Sequence, residues 1–87
     1  MINLIILREH RFPAVPSTIT ERVFGPEMIV DDKGHVLARG ESVLLQGSDA
    51  DLKTFLHPLG KVWSSDNPMM GKWQEMEIKS PDEVLKS

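Results

Sequence analysis

The first segment of the chain is apolar at positions that point in both directions from a strand. Within residues 1–8, Leu4 and Ile6 share one face of the predicted strand, and Ile5 and Leu7 share the other. A strand that is apolar on both faces is typical of one covered on both sides. We therefore expect a central strand between a helix and a second layer. Completion of this strand by a second copy of the chain, as a homodimer, is the alternative.

The clearest local pattern is a β-hairpin. Residues 28–30 and 35–38 are β-forming runs, and the Asp, Lys and Gly residues at 31–34 are typical of a turn, with Gly34 suited to a left-handed conformation. Residues 18–24 alternate imperfectly and predict a preceding strand.

Two glycines near this hairpin affect how far its strands extend. Gly25-Pro26 predicts an interruption of the strand that precedes the hairpin. After the hairpin, Gly40 leaves two alternatives: a second turn over residues 39–42, or a bulge in a strand that continues through residue 46.

One amphipathic helix is predicted over about residues 49–57. Ser48 is the expected N-cap, and Asp49 and Asp51 lie in the first turn, where the helix dipole favours negative charge. Pro58 and Gly60 predict its end. Its apolar face carries Leu52, Phe55, Leu56 and, just beyond the end, Leu59.

The remaining residues predict two strands and a helical turn. Residues 61–63 and 72–79 read as strands around a loop at 64–71, and Ser80-Pro81 begins a helical turn over about 81–86. The predicted class is α+β, with a mainly antiparallel sheet or a small partly open barrel of five to six strands. In element order alone, this resembles an oligonucleotide-binding barrel.

Composition limits the classes of protein that fit. The 87 residues predict a single domain over 1–87, and the absence of Cys excludes disulfides and thiolate zinc sites. No apolar stretch approaches the roughly 20 residues of a membrane-spanning helix, and no basic residue precedes the apolar start as in a secretory signal. A soluble, cytoplasmic protein is therefore expected.

No catalytic or metal-binding pattern is present. The three histidines, His10, His35 and His57, are scattered along the chain. The paired aspartates at 31–32 and 49/51 fall where turn and cap hydrogen bonds account for them. We therefore predict a non-enzymatic protein with no cofactor and no metal.

The segment at residues 63–73 is the predicted partner-binding site. Trp63 and Trp73 flank a loop that contains Asn67, Met69 and Met70. Tryptophan is enriched at binding hot spots, and methionine adapts to irregular partner surfaces. The alternative is that Trp73 packs across Trp63 or beneath the terminal turn.

Nucleic acid is the second partner class considered. Arg8, Arg11 and Phe12 would place two cations near a ring on which a base could stack. The formal net charge of −3 argues against a broad basic surface. A single-stranded nucleic-acid-binding protein with an oligonucleotide-binding-like barrel is therefore the alternative function.

The leading hypothesis is a small protein that binds another protein, as an inhibitor, an adaptor or a subunit of an assembly. It follows from the absence of a catalytic pattern and from the loop between Trp63 and Trp73, which we call the Trp/Met loop. An origin in a phage or mobile element is compatible with this length, although no residue requires it.

The Trp/Met loop makes a first prediction. The double substitution Met69→Ala and Met70→Ala should abolish partner capture while leaving the melting temperature nearly unchanged, because exposed side chains add little to stability. Pull-down and thermal unfolding of both proteins check this. A large loss of stability with partner capture intact would place the two methionines in the core instead.

Overall fold

The computed structural model describes residues 1–10, 12–65 and 76–85, and it shows an α+β fold. The described residues form one open, wholly antiparallel sheet in the order β2-β3-β1-β4-β5, so β2 and β5 are its edges. Of the two predicted architectures, this is the sheet and not the partly open barrel. The strands are β1 (Ile2–Glu9), β2 (Thr20–Val30), β3 (Val36–Gly47), β4 (Val62–Ser65) and β5 (Glu77–Lys79), and the helices are α1 (Asp49–Leu56) and α2 (Pro81–Val84).

β1 is the central strand, as its pattern predicts. It pairs with β3 at eight positions, from Ile2↔Gly47 to Glu9↔Gly40, and with β4 on its other side. Leu4, Ile5, Ile6 and Leu7 are all buried. The sheet is therefore covered on both faces at β1, which confirms the expected central strand.

Each face of the sheet carries its own hydrophobic cluster. The first cluster lies on the face that the helices cover, and the second lies on the opposite face. The first contains Leu4, Ile6, Ile19, Val43, Leu45, Leu52, Leu56, Val62 and Leu85. The second is smaller and contains Ile5, Leu7, Ala38 and Met76, with Ile29, Leu44 and Trp63 packed against it.

α1 forms where the sequence predicts it and closes the first cluster. The Ser48 hydroxyl accepts the backbone N–H of Asp51 at 3.1 Å, which satisfies one of the free donors of the first turn. Leu52 and Leu56, one turn apart, are fully buried. A 3₁₀ helix (His57–Leu59) follows, and Gly60 at φ +74° ends it.

α2 is the predicted C-terminal turn. Ser80 and Glu83 form a reciprocal capping box around its start, with Pro81 at the first helical position. Leu85, just past its end, is buried in the first cluster. Among the described residues no helix is long and apolar enough to cross a membrane.

The predicted interruption at Gly25-Pro26 is wrong, because β2 continues through both residues. An edge strand pairs on one side only, so it tolerates a proline that a central strand would not. The irregularity takes the form of a register shift between Val23 and Gly25. The buried Ser42 hydroxyl donates to the Gly25 carbonyl at 3.3 Å at this point.

β3 also runs on where a second turn was one of the two alternatives. Gly40 pairs with Glu9 on one side and with Glu27 on the other, and the register shifts of β3 lie elsewhere. A Cβ on residue 40 would collide with the carbonyl oxygen of Arg8. Glycine is therefore needed here for the close approach of two backbones rather than for a turn or a bulge.

Gly40 provides a test of this packing. Gly40→Ala should lower the free energy of unfolding by about 2 kcal/mol or more, because the Arg8 backbone must move. Gly47→Ala is the matched control in the same strand: its Cβ would meet Ile19 at an ordinary 3.4 Å. We expect its effect to stay within about 1 kcal/mol. Equal effects in denaturant titrations would contradict the close approach at Gly40.

Candidate functional site

The hairpin of β2 and β3 extends past the end of the central strand. β1 ends with the pair Glu9↔Gly40, whereas β3 begins at Val36. Beyond Gly40, β3 pairs with β2 alone, through Met28↔Arg39, Ile29↔Ala38 and Val30↔Val36. We call residues 28–39, which include the connecting turn, the ribbon. Two-stranded ribbons are only marginally stable by themselves in water, so this one depends on its turn and on the packing at its base.

Asp31 organises the turn of the ribbon. Its Oδ1 accepts the backbone N–H groups of Lys33 at 2.9 Å and His35 at 2.8 Å. Its other carboxylate oxygen lies 3.2 Å from Nδ1 of His35. Gly34 adopts φ +83°, as predicted. Asp31 and His35 are therefore turn residues, in agreement with the turn chemistry that the sequence indicates for the aspartate.

The ribbon exposes apolar side chains that belong to neither cluster. Ile29 and Ala38 pack into the second cluster. By contrast, Met28, Val30, Val36 and Leu37 are between 45% and 52% exposed. Contiguous exposed apolar surface on a small protein often marks a contact site. The hairpin pattern alone does not predict this surface, but its signal is in the sequence: residues 28–30 and 36–38 are apolar at every position, as in β1.

Trp63, one flank of the predicted Trp/Met loop, lies in β4. It is half-buried against the second cluster and pairs with Ile78 of β5, whose side chain is exposed. The indole of Trp63 is therefore partly buried by packing within the protein. The other four predicted partner-binding residues, Asn67, Met69, Met70 and Trp73, lie outside the described residues.

Arg8 and Phe12, two of the predicted nucleic-acid contacts, already have partners in the protein. The Arg8 guanidinium donates to Glu41 at 2.8 Å and also to Glu21, which joins β1, β3 and β2. The hydrogen bond to Glu41, together with the charges of both carboxylates, raises the pKa of Arg8 despite partial desolvation. The Phe12 ring packs on Phe55, with centroids 5.6 Å apart. Arg11 lies outside the described residues.

The described residues contain no cluster of three or more His, Asp or Glu side chains that could hold a metal ion. His10, His35 and His57 are all exposed. Comparison with models of protein families, with curated proteins and with solved structures finds no match.

The ribbon turn gives a prediction for stability. Asp31→Ala should lower the free energy of unfolding by about 1 kcal/mol, because two backbone N–H groups lose their acceptor. Asp31→Asn keeps an oxygen at the accepting position and should cost clearly less. Amide hydrogen exchange at Lys33 and His35 checks the local effect. Exchange at these amides in Asp31→Ala as slow as in the unsubstituted protein would show that the carboxylate does not hold the turn.

Proposed function

We propose that this chain is a small non-enzymatic protein that binds another protein, as an inhibitor, an adaptor or an assembly subunit, and that the ribbon is a contact surface. The observation that carries the proposal is the half-exposed apolar set on the ribbon: Met28, Val30, Val36 and Leu37. A ribbon that projects beyond its sheet gains little from exposing four apolar side chains to water. Their burial against a partner would be favourable, since apolar surface removed from water stabilises an interface.

The shape of the ribbon supports contact with a protein. β2 is an edge strand, and edge strands can pair with an added strand of another chain. Pro26 removes one backbone donor from this edge at the base of the ribbon, so pairing is favoured in the segment beyond it. The adaptable side chain of Met28 lies in that segment.

The Trp/Met loop stays a second predicted contact surface of the same function. Trp63 lies on the second cluster, which Ile29 and Ala38 of the ribbon also join. Trp63 and the ribbon are therefore linked through the second cluster. Substitutions in the ribbon and at Met69 and Met70 separate their contributions.

The nucleic-acid alternative gains less support. Arg8 is paired with two carboxylates, so a phosphate would have to displace them before it could bind. Phe12 packs against Phe55 with the two rings tilted by 59°. With a net charge of −3, a nucleic-acid site would need local cations free of such partners.

Site-specific photo-crosslinking tests the proposed surface. A photoreactive amino acid at Leu37, on the ribbon, should give one discrete protein adduct in host lysate, and unlabelled protein should suppress that adduct by competition. The same group at Thr54, exposed on α1, is the control and should give none. A nucleic-acid adduct, or equal and non-competable labelling at both positions, would refute the proposal.

A matched pair of variants tests whether the apolar character matters. The double substitution Val30→Thr and Val36→Thr keeps β-branched shape while adding hydroxyls, so it should lower the adduct yield several-fold. Val23→Thr changes an equally exposed valine of β2 outside the ribbon and should leave the yield unchanged. Thermal unfolding confirms that all the variants fold. An unchanged yield from the double variant would count against an apolar contact.

A further inference from the structure

A pocket of about 230 Å³ lies at the end of the sheet where β1 and β4 separate. The two strands pair at only two positions, Ile5↔Ser65 and Ile6↔Ser64, although both extend beyond them. Past these pairs the chain after β1 turns away towards Phe12, which packs on α1. The pocket therefore occupies the gap between the two hydrophobic clusters.

Six of the eight residues that line the pocket have apolar side chains. Leu7 and Trp63 come from the second cluster, and Phe12, Leu59 and Val62 come from the first. Its volume is below the roughly 300–1,000 Å³ of pockets that take drug-sized ligands. It is therefore suited to one compact apolar group, such as a branched aliphatic or aromatic side chain.

Two opposite charges complete the lining. Glu9 ends β1, and Lys61 directly precedes β4, so the antiparallel arrangement brings both to the same end of the sheet. They form no ion pair with each other, and neither side chain pairs with another described residue. The adjacent Arg8, by contrast, is held by two carboxylates. The pocket thus offers one anionic and one cationic group that are free to meet a ligand.

We propose that this pocket binds a single apolar amino-acid residue by its side chain and its main-chain polar groups together. The side chain enters between Phe12 and Trp63, a carboxylate pairs with the Lys61 ammonium, and an ammonium or amide N–H donates to Glu9. A free amino acid and the C-terminal residue of a peptide both present this chemistry. The pocket does not involve the ribbon, so this proposal stands independently of the proposed contact surface.

NMR titration of the ¹⁵N-labelled full chain tests the pocket directly. The probes are L-phenylalanine, N-acetylphenylalanine, phenylalanine amide and the peptide Gly-Gly-Phe. Saturable shifts should appear at the amides of Leu7, Glu9 and Lys61 and at the indole of Trp63, with a Kd on the order of 1 mM for a ligand this small. Phenylalanine amide, which lacks the carboxylate, should bind about tenfold more weakly than phenylalanine.

Comparison of the probes separates the two sources of ligand. Binding of Gly-Gly-Phe at least as tight as that of phenylalanine would support a peptide C-terminus. Binding of phenylalanine, without binding of the peptide or of N-acetylphenylalanine, would support a free amino acid as the ligand. Either result supports the site. The proposal would be overturned if no probe gave saturable shifts at these positions at about ten times the expected Kd.

Charge variants test the roles of the two ions. Lys61→Met should weaken the binding of phenylalanine and of Gly-Gly-Phe about tenfold. Lys33→Met makes the same charge change in the ribbon turn and should leave the binding of both probes unchanged. Glu9→Gln should weaken the binding of phenylalanine more than the binding of N-acetylphenylalanine. Glu27→Gln is the matched control and should leave the binding of both unchanged. The dispersion of chemical shifts in the spectrum of each variant shows whether that variant is folded. Unchanged affinity in both Lys61→Met and Glu9→Gln would rule out the proposed contacts.

Discussion

The burial of four consecutive residues of β1 is the constraint on which the rest of this structure depends. Leu4 and Ile6 face the helices, while Ile5 and Leu7 face the opposite cluster. Because both faces must leave water, a short chain needs a layer on each side of one strand. β3 and β4 flank this strand, α1 and α2 supply residues for one layer, and Met76 and Trp63 contribute to the other.

Both candidate surfaces arise where this central strand ends. Beyond Glu9, β3 keeps only β2 as its partner among the described strands, so the ribbon leaves the sheet with four apolar side chains about half exposed. On the other side of β1, the strand separates from β4 and leaves a gap between the two clusters. The separation of β1 from β4 after Ile6 thus leaves a small pocket on one side, and the end of β1 at Glu9 leaves a projecting apolar surface on the other.

The charges at this end of the sheet are used in two different ways. Arg8 is satisfied within the fold by Glu21 and Glu41, which joins three strands and leaves the guanidinium with little capacity for a phosphate. Glu9 and Lys61 line the pocket without ion pairs of their own. Because Arg8 is already paired with two carboxylates, a phosphate would have to displace them to reach its guanidinium.

The sequence by itself determined the features that depend on neighbours along the chain: the Ser48 and Ser80 caps, the Asp31–Gly34 turn, and the doubly apolar β1. The caps and the turn are set within a few residues by hydrogen bonds of side chains to nearby backbone, and β1 is set by the apolar character of both its faces. Only the tertiary structure decided the continuity of β2 through Pro26, the need for glycine at position 40, and the partial burial of Trp63. Each of these depends on which elements lie alongside, because an edge strand tolerates proline, a closely approaching neighbouring strand excludes a Cβ, and a neighbouring cluster packs against an indole.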